Sequence, residues 1–285
     1  MGTNPKVAAV RAGLARGWIE LRHTFTNTES LWGYLFPTAI LLTVMFFMRD
    51  KTVPGTSFSL GTRTLPSALG MGIAFSGLVT LAQQLTVERE DGTLLRAKAV
   101  PDGMLGYLIG KVTVVSGMSL VSIVLQLVPG ALLLDGLALD RPGAWLTLAW
   151  VLPLGLVATM PIGAIVGSFI SNPRNLGLVM LPVMGLVAIS GIFYPITSLP
   201  GWLQGIGQVF PMYWLGLGMR SALLPDAMAA AELGHSWRHL ETLGVLGIWA
   251  VFGMVVAPVV LRRMARRESG SSVAARREKA LQRVT

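Results

Sequence analysis

Apolar residues in this chain come in unbroken runs rather than in alternation. The runs cover roughly Leu31–Met48, Leu65–Thr86, Met104–Val128, Gly143–Ile170, Leu176–Phe193 and Leu243–Leu261. A run of about 18 or more such residues is long enough to cross a bilayer's hydrocarbon core as a helix. The pattern therefore predicts an all-α integral membrane protein with six transmembrane helices. A membrane barrel would show alternating positions instead. Pro153 and Pro161 fall inside the fourth run, which predicts a kinked or tilted span.

Three stretches stand outside this rhythm. Residues 1–30 place Val7, Val10, Leu14, Trp18, Leu21 and Phe25 at steps of three and four, with Lys6, Arg11, Arg16 and Arg22 largely off that stripe. This predicts an amphipathic interfacial helix, with docking of a soluble helix on a partner as the alternative. Asn27–Ser30 caps the span that follows. Tyr194–Leu224 is apolar but cut by Pro195, Pro200, Gly201, Gly205, Gly207 and Pro211, so neither half can cross. It reads as a re-entrant segment with Trp202, Tyr213 and Trp214 at headgroup level. Residues 263–285 form a basic tail after the membrane domain of residues 31–262.

Composition agrees with the pattern. Hydrophobic residues make up 53% of the 285, charged residues only 13%, and mean hydropathy is +0.63. A soluble domain carries about 25% charge. Cysteine is absent, so neither disulfides nor thiol chemistry is available. The net charge of +9 is explained by topology rather than by nucleic acid. Sixteen of the 23 bases fall on the side of the predicted bundle that carries both termini. Basic residues accumulate in cytoplasmic segments, so both termini are expected in the cytoplasm. Lys111, near the start of the third run, and Arg220, in the re-entrant segment, are expected to snorkel to the nearest surface.

The densest charge is Leu85–Pro101, LTVEREDGTLLRAKAVP, between the second and third runs. Acids come first (Glu88, Glu90, Asp91), then Gly92 and Thr93, then Arg96 and Lys98, and Pro101 ends it. Thr93 is expected to cap a short helix whose C-terminal end suits the bases and whose extent Pro101 limits. Such a helix on the membrane face is a handle for a soluble partner. The spans themselves hold almost no Asp, Glu or His, which argues against an ion-coupled transporter. Gly106–Lys111 only hints at a phosphate loop: it is one residue short, lacks the Ser or Thr, and lies in an apolar run. His235 and His239 have helical metal spacing but no aligned third ligand. Gly163 and Gly167 allow close helix contact, within the protomer or between protomers. Ser76, Thr80, Gln83, Gln84, Ser119, Gln126, Ser190, Phe193 and Tyr194 are candidates for a substrate path.

At Glu88-Arg-Glu-Asp-Gly92-Thr93-Leu94…Pro101 the chain resembles the permease subunits of type-2 ABC exporters, the daunorubicin-resistance-like group. Gly191-Ile-Phe-Tyr-Pro195…Leu199-Pro200-Gly-Trp-Leu203…Pro211…Arg220 is similar to that family's outward-facing re-entrant segment. Two departures stand out. The family often has acid near Leu95–Arg96, where this chain has base, and Asn before the proline that is Pro211, where this chain has Phe210.

The resemblance implies a half-transporter in the plasma membrane of a bacterium. Two permease protomers, identical or not, would each dock a cytoplasmic ATPase that supplies the ATP and Mg site. The helix around Glu88, Arg89, Glu90, Gly92, Thr93, Leu94, Arg96 and Pro101 would be the coupling helix. The expected cargo is hydrophobic or amphipathic, a drug or a lipid. Polysaccharide or glycolipid export by the same superfamily and a membrane enzyme such as an acyltransferase are the alternatives.

Overall fold

The computed structural model describes residues 5–52, 59–170 and 175–267. Pro54 and Gly55 of the polar loop after the first run, residues 171–174 of the tight turn expected at Ser171–Asn175, and the tail beyond Arg267 lie outside the described residues.

Eleven α-helices account for most of these residues. They are α1 (Pro5–Thr26), α2 (Thr28–Phe47), α3 (Leu60–Phe75), α4 (Leu81–Glu90), α5 (Thr93–Lys98), α6 (Gly103–Leu133), α7 (Pro142–Phe169), α8 (Leu176–Ile189), α9 (Gly201–Val209), α10 (Pro211–Leu223) and α11 (His239–Arg267). No strand occurs among the described residues. A π-helical turn, Ser76–Thr80, joins α3 to α4, so Leu60–Glu90 is one continuous span. With α6, α7 and α11 it makes four helices long and apolar enough to cross a membrane, or five if the bent pair α1 and α2 is counted as one. α8 has 14 residues, about 21 Å of helix, and is too short to cross by itself. The chain is thus an all-α, multi-pass membrane protein, and among the described residues four or five of the six runs read from the sequence meet this test.

Two boundaries moved for local reasons. α6 continues through Pro129 to Leu133 rather than stopping at Pro129-Gly130, because a helix that packs on its neighbours tolerates one missing N–H. α11 runs to Arg267, past the expected start of the tail, and buries Met264 and Ala265.

The core lies between α3, α7 and α10. α10 is buried along nearly its whole length, including Tyr213 and Trp214, which therefore pack inside the bundle instead of facing lipid headgroups. Trp214 donates its indole N–H to the Gln208 carbonyl and packs edge-on against Tyr213. Only Trp202, on α9, is exposed as expected. The segment read as re-entrant forms two short helices, α9 and α10, broken at Phe210–Pro211.

Small residues set the close helix contacts. Ala9, Gly13, Gly17 and Leu21 bury one face of α1 along α6. A Cβ on Gly17 would stand 2.7 Å from the Gly110 carbonyl oxygen, well inside van der Waals contact. The opposite face of α1 leaves Val7, Leu14 and Trp18 exposed, as a helix bordering lipid requires. Gly163 and Gly167 of α7 receive the π turn and α4: Gly163 lies against the Gly77 and Leu78 carbonyls, and Gly167 against Ala82. Their small-residue pattern therefore serves packing within one protomer.

Candidate functional site

The charged stretch forms an elbow between two spans. α4 ends at Glu90, the chain turns at Asp91-Gly92, α5 occupies six residues, and a second turn at Val100–Asp102 starts α6. Gly92 has φ +79°, in the left-handed region where a side chain is disfavoured. The Asp91 carboxylate accepts the Thr93 backbone N–H at 2.7 Å. Asp91, not Thr93, thus satisfies the start of α5; the Thr93 hydroxyl instead accepts from the Arg96 guanidinium at 2.8 Å. Leu94 is buried and pins α5 to the bundle, while Arg96, Lys98 and Pro101 are exposed.

The first half of the motif faces inward. Lys111 does not snorkel: its ammonium lies 2.5 Å from Glu20 of α1 and 2.6 Å from Glu88 of α4, and its side chain is 4% exposed. Two carboxylates from separate elements compensate its charge more completely than one interface could, so the side chain stays inside. Glu88 is therefore an internal ion-pair partner rather than a group presented to another protein. Arg89 is likewise buried, donating to the Ser168 and Ile170 carbonyls at the end of α7 at 2.9 and 3.1 Å. Glu90 is half-buried at the last turn of α4.

Two concavities adjoin the elbow. One is a groove of about 550 Å³ between α1, α5 and the start of α6. Its rim carries Arg16 and Arg96, its floor is small and apolar (Ala9, Gly13, Ala97, Gly106), and none of the described residues lining it is acidic. The Arg16 guanidinium sits 5.9 Å from the centre of the Tyr107 ring. The other is an apolar cleft of about 230 Å³ between α4, α6, α7 and α11. Tyr107 borders both.

At the opposite end lies a second buried ion cluster that sequence reasoning missed. Arg220 of α10 is fully buried and grips Glu232 with two nitrogens, at 2.8 and 3.0 Å. It also donates to Ser67 at 3.0 Å, and Arg63 of α3 reaches the same carboxylate at 3.3 Å. The expectation of a snorkelling Arg220 is thus overturned by a bidentate partner twelve residues later. Burial alone would raise the Glu232 carboxyl above its ordinary 4.5; Arg220 and then Arg63 outweigh that and hold it below. An arginine inside an apolar segment, followed by two acids in the next loop, Asp226 and Glu232, was the available signal.

The polar residues proposed as a path do not converge. Ser119 and Ser190 bond their own helix backbones, at Val115 and Val187. Gln126 donates to Ser122 one turn earlier. Ser76 and Thr80 are half-buried in the π turn, Gln83 is exposed, and the Gln84 side-chain oxygen is buried without a partner. Phe193 is exposed, and the Tyr194 hydroxyl donates to the Ala188 carbonyl. None of the nine lines the apolar cleft. His235 is exposed and bonds the Ala230 carbonyl, whereas His239 lies edge-on to Trp150, so the two do not form a metal pair.

Comparison with known proteins gives the family. A family model described as ABC-2 family transporter protein matches residues 50–259, while a search of characterised proteins finds no significant match. That region takes in the elbow, the apolar cleft's α4, α6 and α7 walls and the buried cluster around Glu232. Covering well over half of the 285 residues, the match means that this chain belongs to the ABC-2 transporter family, as one of its membrane-spanning components.

Proposed function

We propose that this chain is the permease of an ATP-driven exporter of hydrophobic or amphipathic compounds, with α5 as the helix through which a separate ATPase drives it. The observation that carries this reading is the elbow. α5 stands outside the spans, and its two ends feed directly into α4 and α6. A push on α5 is therefore delivered to two spans at once, and through Lys111 to α1 as well.

The ABC-2 family implies an ABC ATPase partner, and the groove beside α5 suits one. Its two guanidiniums call for acidic groups on the docking segment, and Arg96 is the position where the family often has acid instead. In this reading the partner ATPase holds ATP and Mg, the α5 end faces the cytoplasm with both termini, and a second permease protomer completes the pathway. The daunorubicin-resistance-like group remains the subgroup its motifs resemble, with α2 as the first of six spans and α8, extended by the apolar residues that follow it to Phe193, as the fifth. The spans' scarcity of charge and the apolar cleft beside the lever favour a lipophilic cargo.

The test is uncoupling. Gly92→Pro replaces a residue at φ +79° by one locked near −65°, so the elbow cannot keep its turn. Glu90→Lys reverses the charge beside it. Both variants are expected to insert normally and bind the ATPase-bearing complex in altered register, with transport per ATP hydrolysed in proteoliposomes falling at least tenfold. Transport at wild-type stoichiometry in both variants rules out α5 as the lever.

A further inference from the structure

We infer that the apolar cleft between α4, α6, α7 and α11 is a seat for one acyl chain of a bilayer lipid, placed where its occupancy bears on the lever. Four helices build the cleft, each belonging to a span long enough to cross the membrane, and its lining lies about one to four turns in from the α5 end of each helix. Its inner wall is buried: Leu81 and Leu85 from α4, Met160 and Ala164 from α7. Its mouth lies between Val112 of α6 and Met254 of α11, both about half exposed on the outside of the bundle.

The chemistry of the lining selects the occupant. Apart from Tyr107 and Lys111, every lining residue is apolar, and the Lys111 ammonium is turned away into its ion pairs with Glu20 and Glu88. Water would find almost no hydrogen-bonding partner there. An apolar cavity of about 150 Å³ already stays dry and takes up benzene. This one is larger and opens sideways onto lipid tails. A charged headgroup has no partner in it, whereas a flexible hydrocarbon chain satisfies the whole surface.

The position gives the seat a consequence. Leu85 stands one turn before Glu88, and Lys111 lines the cleft while holding Glu88 and Glu20. A chain in the cleft thus supports α4 from beneath, at the root of the elbow. Occupancy by a chain is independent of the exporter reading; only its effect on turnover rests on that reading.

The experiment is photolabelling of the full-length protein with its ATPase, in nanodiscs containing a phospholipid with a diazirine near the end of one acyl chain. Expected labels fall on Leu85, Met160 or Ala164, which bulk lipid does not reach, as well as on Val112 and Met254. Ala164→Phe and, from the other wall, Ala257→Leu are expected to cut the buried labels at least tenfold while those on Val112 and Met254 persist. Label confined to Val112 and Met254 in the wild-type protein overturns it without recourse to any variant. Neither result bears on whether Gly92→Pro uncouples transport.

Discussion

Each end of this bundle carries three charged side chains drawn together inside the protein, on opposite balances. At the α10 end two guanidiniums share one carboxylate, and the side chains of Arg63, Arg220 and Glu232 are at most 2% exposed. At the α5 end two carboxylates share one ammonium, with Lys111 at 4%, Glu88 at 14% and Glu20 at 34%. The first cluster is sealed and the second is graded toward water. Rearranging a sealed ion cluster exposes charge to a low-dielectric interior at several kcal/mol per ion, whereas a partly hydrated one lets water replace a lost partner. The α10 end is thus built as an anchor, tying α3, α10 and the loop at Glu232 together. The α5 end is built to be rearranged, and it is where the elbow lies.

The largest effect that would break this contrast concerns the anchor. Glu232→Ala leaves two buried guanidiniums without a counter-charge, and removal of one partner from such a cluster costs about 3–5 kcal/mol. The purified variant should melt far below wild type in a detergent thermal-shift assay, and much of it should be lost on expression. A near-wild-type melting temperature would show that the cluster is no anchor.

A smaller loss is expected at the other end. Lys111→Met removes the ammonium between Glu20 and Glu88, at about 1.5–3 kcal/mol for charge-assisted bonds, softened because Glu20 reaches water. Lys111→Met/Glu20→Gln should recover part of that loss, since one of the two opposed carboxylates is gone. If the single variant is as damaging as Glu232→Ala, the two ends do not differ as their exposure says.

The mildest probe is pH. Glu232 has a folded value held below its ordinary 4.5, so its contribution is complete above that value and is lost as pH falls through the lower, folded one. Acidification from neutral pH to about 4 should therefore leave the protection factors of the Pro211–Leu223 amides, taken relative to intrinsic exchange at each pH, little changed, with protection falling only at lower pH. Loss of protection beginning near pH 6 would mean that the carboxylate is not held by its arginines.

Several features were legible in the residues because their causes are local. Apolar runs demand helices in a bilayer, and the position of α6 and α7 followed to within a few residues. The turn before α5 was visible in Asp91-Gly92-Thr93, although the capping group proved to be the Asp91 carboxylate. The small-residue spacing at Gly163 and Gly167 announced a close contact without naming its partner, which is the π turn. The π turn itself, which packs against α7, left no mark in the residues.

The sequence by itself determined the class of protein, the rough extent of most helices and the place of the charged elbow, all consequences of interactions among residues a few positions apart. Tertiary structure alone decided which charges are partners. Lys111 meets Glu20 across 91 positions and Arg63 meets Glu232 across 169, and read singly, these residues look like surface charges. In a low-dielectric bundle a charge is stable only beside its complement, and which complement lies beside it is fixed by how the helices pack.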